Sequence, residues 1–184
     1  MKYIPLSATK KATTNKDKYF VMVDDEDYEW LIKWNWSVHV LERTCYPVRT
    51  TTSKGKTTLL YMHNAVMNRT AQELKDDVRI DHRDHNGLNC QKSNLRRCTH
   101  QQNCKNMRSR KNSSSKYLGV GRIKDSRKGK RNKIWHAQIS VGGKGISLGV
   151  YETEQEAAFM YDLAALKYHG EFGCFNILFK GFPT

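Results

Sequence analysis

The sequence predicts an α+β fold built from small sheets and short helices. Short runs of β-branched and aromatic residues, separated by turn residues, fill residues 18–68. Residues 69–104 give a strand, a polar loop, a second strand and a helix, and the C-terminal part gives three strands and one capped helix. With 184 residues and 38% hydrophobic residues, the chain fits two small modules better than one large domain.

The first region, residues 18–68, is predicted to be rich in β-structure. Its expected strands are Tyr19–Val23, Trp34–Val40, Tyr46–Thr51 and Thr57–Met62. The acidic run Asp24–Glu29 favours a helix start, because carboxylates are stabilised at the positive end of the helix dipole. A short helix is expected around His63–Met67. We expect Trp30, Trp34 and Trp36 to pack in the core of this region rather than stack on bases.

The second region frames a polar loop between two short strands. Val78–His82 and Ser93–Cys98 are the predicted strands, and the loop between them holds the run Arg83-Asp84-His85-Asn86-Gly87. A helix is predicted over Thr99–Asn106 with Thr99 as its N-cap, which places Asn103 one turn into the helix.

The side chains of this region suit the hydrolysis of a phosphodiester. That reaction needs a base to deprotonate water and a divalent cation to take up charge on the phosphoryl oxygens. Neutral His82 can be the base. Asp81 and Asn103 offer oxygen ligands, which suit a hard ion such as Mg²⁺. Asn94 is better interpreted as a brace of the loop.

At these residues the chain resembles the HNH endonuclease family, whose ββα-metal (His-Me finger) motif has a His on the first strand, an Asn in the loop and an Asn or His on the helix. His82, Asn94 and Asn103 lie twelve and nine positions apart, which resembles the phage and intron-encoded homing branch. The resemblance implies His82 as general base, Asp81 and Asn103 as ligands of Mg²⁺ or Mn²⁺, and Asn94 as the residue that ties down the loop. Because adjacent strand residues face opposite sides, Asp81 and His82 can share a site only where the strand ends or bulges.

We therefore expect a site-specific homing endonuclease of a mobile genetic element, one that binds double-stranded DNA as a monomer and nicks one strand of an asymmetric site. Other interpretations stay open. A degenerate HNH fold would serve DNA binding alone, as in a sequence-specific regulator, and a non-specific defence or toxin nuclease would need no separate reader. His100 is either a reserve metal ligand or a phosphate contact.

The third region predicts a three-stranded sheet and one helix. Its strands are Tyr117–Val120, Trp135–Ile139 and Ile146–Tyr151, the last two joined by a tight turn at Gly142-Gly143. Thr153 and Glu156 form a capping box, and Gly170 ends the helix. Strand alternation turns Ala137, Ile139, Val141, Ile146 and Leu148 towards the helix. The same alternation leaves an open sheet face of His136, Gln138, Ser140 and Ser147.

This region resembles the plant ethylene-response-factor (Apetala-type) DNA-binding domain. The resemblance rests on Tyr117-x-Gly119-Val120, Trp135-x-Ala137-x-Ile139, Leu148-Gly149-x-Tyr151, Glu156-Ala157-Ala158, Tyr161-Asp162-x-Ala164-Ala165 and Gly170 through Asn176. It implies that the sheet lies in the major groove, which is wide enough for a β-ribbon. The plant readout does not carry over, because positions that carry Arg or Trp in plant members are here Leu118, Gly121, Ile123, Ser140, Gly145 and Ser147.

Positive charge is concentrated between the two modules. The net charge is +14, and residues 92–133 hold fifteen Lys or Arg against the single acid Asp125. We expect domains 1–104 and 117–184 with a basic linker over 105–116, and a basic hairpin over Lys124–Lys133 that binds phosphates. The expected DNA contacts are Arg96, Arg97, His100, Lys105, Arg108, Arg110, Lys111, Arg122, Lys124, Arg127, Lys128, Lys130, Arg131, Lys133, His136, Gln138, Ser140, Lys144 and Ser147.

Two further classes of protein do not fit the composition. No stretch approaches the roughly eighteen apolar residues of a membrane span, and the N-terminus lacks the apolar core of a signal peptide. We therefore expect a soluble intracellular protein, in the cytoplasm of a bacterium or a phage-infected host. The five cysteines form an odd set without a Cys-x-x-Cys pair, so neither a disulfide framework nor a zinc knuckle is indicated.

Overall fold

The protein is described from a computed structural model that covers residues 1–7, 19–42, 44–53, 55–106, 113–123 and 134–178. The predicted α+β class is confirmed, because small antiparallel sheets alternate with a few helices. The chain divides into two compact units, Met1–His100 and Gln101–Thr184.

In the described part of the first unit there are three small antiparallel sheets and three short helices. In chain order the elements are β1 (Lys2–Leu6), β2 (Tyr19–Val23), α1 (Asp25–Leu31), β3 (Ser37–Val40), β4 (Cys45–Ser53), β5 (Lys56–Tyr61), α2 (Met62–Val66), α3 (Ala71–Lys75), β6 (Arg79–His82) and β7 (Leu95–Cys98). The sheets are β1-β2, β3-β4-β5 and β6-β7. Helix α4 (His100–Lys105) begins at the boundary between the units.

The described residues of this unit form one hydrophobic core, and all three sheets contribute to it. The distal part of the β4-β5 hairpin lies outside this core. Its fully buried members are Ile4, Leu6, Val21, Val23, Leu31, Trp36, Val38, Met62, Val66, Ile80, Cys90 and Leu95. Ile80 of β6 and Leu95 of β7 anchor the β6-β7 hairpin in this core. This packing holds the hairpin against the rest of the unit.

Helix α1 starts where the acidic run predicts, with Asp24 as its N-cap and three carboxylates in its first turn. The expectation that the tryptophans pack in the core is confirmed for Trp36, which is buried. It is wrong for Trp34, which is 49% exposed. Trp34 instead stacks beneath the guanidinium of Arg49, whose Cζ lies 3.9 Å from the ring centroid. An exposed tryptophan keeps apolar contact in this way without entering the core.

The second unit has the predicted three-stranded antiparallel sheet packed on one long helix. Its elements are β8 (Val120–Arg122), β9 (Trp135–Val141), β10 (Lys144–Tyr151) and α5 (Glu154–His169), followed by a short 3₁₀ turn at Gly170–Phe172. The strand order is β10-β9-β8, and α5 packs against all three strands. The first strand begins three residues later than predicted.

Glycine-dependent geometry fixes both ends of this sheet. Val141 pairs with Lys144 across the two-residue turn Gly142-Gly143, whose φ angles of 58° and 80° suit glycine. Gly119 has φ 72°, and a Cβ there would lie 2.1 Å from the ring of Tyr161. Only a residue without a side chain lets the strand approach α5 this closely.

The ends of α5 match the sequence pattern. Thr153 and Glu156 form a complete capping box, and Gly170 is the C-cap with φ 56°. Among the described residues, no helix is long and apolar enough to cross a membrane. All five cysteines are free thiols.

Candidate functional site

The β6-β7 hairpin places Asp81 and His82 at the end of a regular strand. Asp81 pairs with Arg96 and His82 with Leu95, without a bulge, and β6 ends at His82. Asp81 and His82 are both buried, at 6% and 5% exposed. The ladder therefore holds both residues without the bulge that was one of the two expected alternatives, and the other alternative, the strand end, falls at His82.

The loop after His82 is held by side-chain hydrogen bonds. The Asn94 side chain accepts from the backbone N–H of Asp84 at 3.0 Å and donates to Asp84 Oδ1 at 3.0 Å and to the carbonyl of Asn89 at 2.9 Å. Asp84 also accepts from the Asn86 backbone and the Asn89 side chain. Asn94 is 8% exposed and its three bonds are partly buried, which shields them in part from competition with water, whereas the Asp84 bonds to Asn86 and Asn89 are exposed.

The loop is also fastened to the rest of the unit. Backbone bonds join Met22 of β2 to Leu88 and Cys90, at 2.8 and 2.9 Å. The carboxylate of Asp24 accepts from the Lys92 backbone at 2.8 Å. The sequence predicted Asp24 only as a helix signal, since a contact across 68 positions leaves no trace in local composition.

His82 lies in a cluster of rings that the sequence did not predict. The His63 ring meets it edge to face at 5.1 Å between centroids, and the Tyr46 ring lies 5.6 Å away. His63 also contacts Tyr46 at 5.5 Å and stacks on Tyr61 at 5.4 Å. The cluster thus surrounds His82 with flat, weakly polar surfaces from β4, β5 and α2.

Gly87 allows this packing. A Cβ at Gly87 would lie 2.3 Å from the carbonyl oxygen of Cys45 and 2.7 Å from the Tyr46 ring. Any side chain would therefore push the loop off Tyr46 and disturb the wall beside His82. This is the second position, with Gly119, at which a close approach demands glycine.

Burial keeps both histidines of the cluster neutral. Desolvation lowers the pKa of His82 from 6.5 to about 4, opposed by the nearby carboxylates of Asp84 and Asp81. Desolvation lowers the pKa of His63 from 6.5 to about 3, helped by the charges of His82 and Arg69. A neutral imidazole can accept a proton, so His82 is in the form that a general base needs at neutral pH.

Asp81 is bound to Arg96 in a buried ion pair. Arg96 donates from Nε at 2.9 Å and from Nη2 at 2.7 Å, both to Asp81 Oδ2, and Arg96 is 7% exposed. The sequence predicts Arg96 as a DNA contact, and that role stays a prediction. In the structure its guanidinium faces Asp81, because the hairpin register sets the two residues opposite each other.

The other predicted DNA contacts outside the sheet face of the second unit fall into three groups. Arg97 is exposed and bound to Glu73 and to the Met67 carbonyl. The exposed or partly exposed members of the second group are His100, Lys105, Arg122 and Lys144. Those outside the described residues are Arg108, Arg110, Lys111, Lys124, Arg127, Lys128, Lys130, Arg131 and Lys133, which include the whole Lys124–Lys133 hairpin.

Helix α4 carries the remaining predicted metal ligand. Asn103 is the fourth residue of α4 and is partly buried, and its backbone carbonyl accepts from the Asn106 N–H at 3.2 Å. Among the described residues, no group of three or more His, Cys, Asp or Glu is placed to hold a metal ion. The predicted donor set is of a different type, one carboxylate and one amide.

The open face of the second unit is polar, as predicted. Gln138, Ser140 and Ser147 are exposed, and His136 Nε2 lies 3.2 Å from the Ser147 hydroxyl. The opposite side chains, Ala137 and Ile139 among them, pack on α5. A hydrogen-bonding surface that faces solvent is chemically suited to a ligand with polar edges.

Comparison with known proteins gives similarity in two parts. An uncharacterised HNH endonuclease of Acanthamoeba polyphaga mimivirus is 29% identical over 158 residues, which cover 85% of this chain and 74% of the viral protein. The chain is thus similar, along most of its length, to a protein named a nuclease. No family model matches the chain, and no solved structure matches it.

The second similarity is to plant transcription factors. An AP2-like ethylene-responsive transcription factor of Arabidopsis thaliana is 40% identical over 63 residues, and a second ethylene-responsive factor of the same plant is 43% identical over 58 residues. The chain spans 18% and 12% of these two proteins. The similarities together support the combination of an HNH part and an AP2-like part that the motifs indicate.

Proposed function

We propose that this protein is a metal-dependent, site-specific DNA endonuclease of the homing type, which hydrolyses one phosphodiester of double-stranded DNA. The observation that carries the proposal is His82, a buried and neutral imidazole at the end of β6, beside Asp81 and a loop braced by Asn94. Similarity to a protein named an HNH endonuclease supports the same reaction class. In this proposal β6, β7 and α4 form the ββα-metal module.

His82 acts as the general base in this proposal. It accepts the proton of the attacking water, and the ring wall of Tyr46 and His63 fixes the direction of its imidazole. A pKa of about 4 makes a weak base in the DNA-free protein. An anionic phosphate beside the imidazole raises its pKa, because opposite charge favours the protonated form. DNA binding therefore strengthens the base at the moment when it is used.

The donor set fits a hard divalent cation such as Mg²⁺ or Mn²⁺. Asp81 supplies a carboxylate and Asn103 an amide oxygen, and Mg²⁺ binds proteins through one or two such groups together with substrate phosphates. When bound, the ion takes up charge that develops on the phosphoryl oxygens and on the leaving 3′-oxygen. Asn94 holds the loop, and Arg96 orients Asp81.

The second unit is proposed to read the target. Its open face of His136, Gln138, Ser140 and Ser147 is displayed on β9 and β10, and the major groove of DNA admits such a sheet. The AP2-like similarity supports a role in DNA binding. Basic residues of the linker and of Lys124–Lys133 would add contacts to phosphates.

One alternative has a specific observation in its favour. A regulator with an inactive HNH fold would explain why the charge of Asp81 is already compensated by Arg96. The His82→Ala variant separates the two functions. We expect it to lose nicking of supercoiled plasmid in Mg²⁺ by at least about a hundredfold while its affinity for DNA changes little, because the base is removed but no cation is.

The measurement pairs gel assays of relaxed plasmid with filter or gel-shift binding. A matched control is His85→Ala, since this half-buried loop histidine lies three residues away and should keep activity within a few-fold. Wild-type rates in His82→Ala would remove His82 as the base. A wild-type protein that binds but never nicks would favour the regulator.

A further inference from the structure

Among the described residues of the first unit, the ion pair between Asp81 and Arg96 is the most deeply buried charge contact. Each side chain is 7% exposed, and both donor atoms of the guanidinium converge on Oδ2. Other ion pairs of the same unit are much more exposed. In the pair between Lys2 and Glu29, for example, the side chains are 43% and 75% exposed. A pair in this position is weakly screened by solvent, so its effect on a nearby cation is strong.

The charges of the proposed ligands, Asp81 and Asn103, are unusual for a cation site. His82 is neutral, and Asn103 carries no charge. The neighbouring carboxylate of Asp84 already accepts three hydrogen bonds within the loop. Asp81 is the one charged member of the proposed ligand pair, and Arg96 compensates that charge across the hairpin. The proposed ligands therefore offer Mg²⁺ almost no net attraction, although this ion gives up its hydration water reluctantly.

We propose that Arg96 is a positioning residue that makes tight metal binding conditional on DNA. It holds the carboxylate of Asp81 in place and neutralises it, so the negative charge that retains the cation comes from the DNA phosphate. This inference rests on the proposed function, because it takes Asp81 as a metal ligand. DNA binds first, and the metal follows. By reciprocity, bound metal strengthens DNA binding by the same factor.

This role differs from a direct contact of Arg96 with DNA. A phosphate contact needs an exposed guanidinium, whereas Arg96 is buried and bound to Asp81 across the hairpin. It also differs from a purely structural ion pair. Loss of a purely structural ion pair lowers stability and weakens every function of the protein. Loss of Arg96 is instead expected to strengthen the binding of metal in the absence of DNA.

The test measures Mn²⁺ binding to the full-length, DNA-free protein by the EPR signal of free Mn²⁺. We expect the wild type to bind with a Kd in the millimolar range or weaker, and Arg96→Met to bind at least about tenfold tighter, because removal of a unit charge a few ångströms away changes binding by more than this inside a protein. Arg96→Lys, which keeps the charge, should show no such gain. Adding Asp81→Ala to Arg96→Met should abolish the gain.

The matched control is Arg97→Met, which removes an exposed cation from the next position and should leave Mn²⁺ binding within about twofold of the wild type. If Arg96→Met does not fold, Mn²⁺ binding by the wild type and by Arg96→Lys still tests the inference. Micromolar Mn²⁺ binding by either in the absence of DNA would overturn the inference. So would an unchanged affinity in folded Arg96→Met.

Failure of the proposed function would look different. A wild-type protein that never nicks plasmid in Mg²⁺ or Mn²⁺ contradicts the nuclease, whatever its metal affinity. A wild type that nicks plasmid, yet binds Mn²⁺ as tightly without DNA as Arg96→Met does, contradicts only the role of Arg96.

Discussion

His63 and His82 are buried side by side, and burial makes both of them costly to protonate in the folded protein. Their pKa values fall to about 3 and about 4, whereas an unfolded chain holds both near 6.5. The groups that face His63 are His82 and Arg69, and those that act on His82 are Asp84 and Asp81. Between pH 6.5 and pH 4 the unfolded chain therefore binds more protons than the folded one. Stability must rise with pH across this window and then level off.

His63→Phe tests this at one residue, since the ring contacts remain and the titration is lost. From pH 7 to pH 5 the wild type should lose about 2 kcal/mol of unfolding free energy more than the variant does. Urea unfolding at the two pH values measures the difference. Equal losses in the two proteins would show that His63 is protonated in the fold and is not held neutral by burial.

At the residue scale, spacing along the chain was enough to single out Asn94 as a brace of the loop, because the loop is local and its Asn and Asp side chains bond to the nearby backbone. The roles of His82 and Asp81, which come from the same spacing, stay predictions. Tyr46 and His63 were missed as neighbours of His82. They come from distant strands and helices, and a Tyr or His in a strand-like run has no local pattern that reveals its partner.

Among the elements, α5 was predicted best, because its capping box and terminal glycine are local signals. Strand β2 was predicted to the residue. Strand β1 and helix α3 were not predicted. Strand β1 has a proline at position 5 and is stabilised by pairing with β2 from Lys2 to Leu6, and such pairing between distant segments overrides weak local propensity.

Helix α5 also fastens the C-terminal segment through one buried acid. Asp162 is fully buried and accepts hydrogen bonds from the backbone N–H groups of Asn176, Ile177 and Leu178 at 2.7, 2.7 and 2.9 Å. Asn176 in turn bonds to both backbone groups of Leu118, ahead of β8. The acid therefore links the helix, the tail and the start of the sheet.

Asp162→Asn should lower the free energy of unfolding of the second unit by roughly 2–3 kcal/mol. Its melting temperature should fall accordingly. The new amide presents N–H donors to backbone donors, so buried groups lose their acceptor. Glu152→Gln is the matched control, since Glu152 is exposed and its change should cost less than about 0.5 kcal/mol. Thermal unfolding followed by circular dichroism compares them. A melting curve for Asp162→Asn that overlies that of Glu152→Gln would contradict the assigned role.

At the scale of the whole molecule, catalysis and target choice are expected to separate. Replacing Gln138, Ser140 and Ser147 together by Ala removes polar groups from the open face while leaving the α5 side intact. Preference for target over random duplex should fall by at least about tenfold, because each good base contact is worth about 1–3 kcal/mol of discrimination. The rate of plasmid nicking at saturating protein should stay within a few-fold of the wild type.

Gln155→Ala, an exposed change on α5, is the control for this triple variant. Binding competition between target and random duplex, run at several salt concentrations, gives the measurement. The salt dependence should remain steep in all three proteins, since it comes from Lys and Arg and not from the changed residues. Unchanged target preference in the triple variant would show that sequence is read elsewhere.

The last expectation concerns the number of strands cut. The chain carries one proposed base, His82, and one such site attacks one phosphodiester at a time, so a double-strand break needs a second copy held in two-fold symmetry. We expect a monomer in solution and a nick in one strand of an asymmetric site. Light scattering gives the mass, and denaturing gels with each strand labelled in turn give the cut positions. A stable dimer that cuts both strands equally around a palindromic footprint would replace the monomeric nickase by a symmetric nuclease, with His82 as base in each copy.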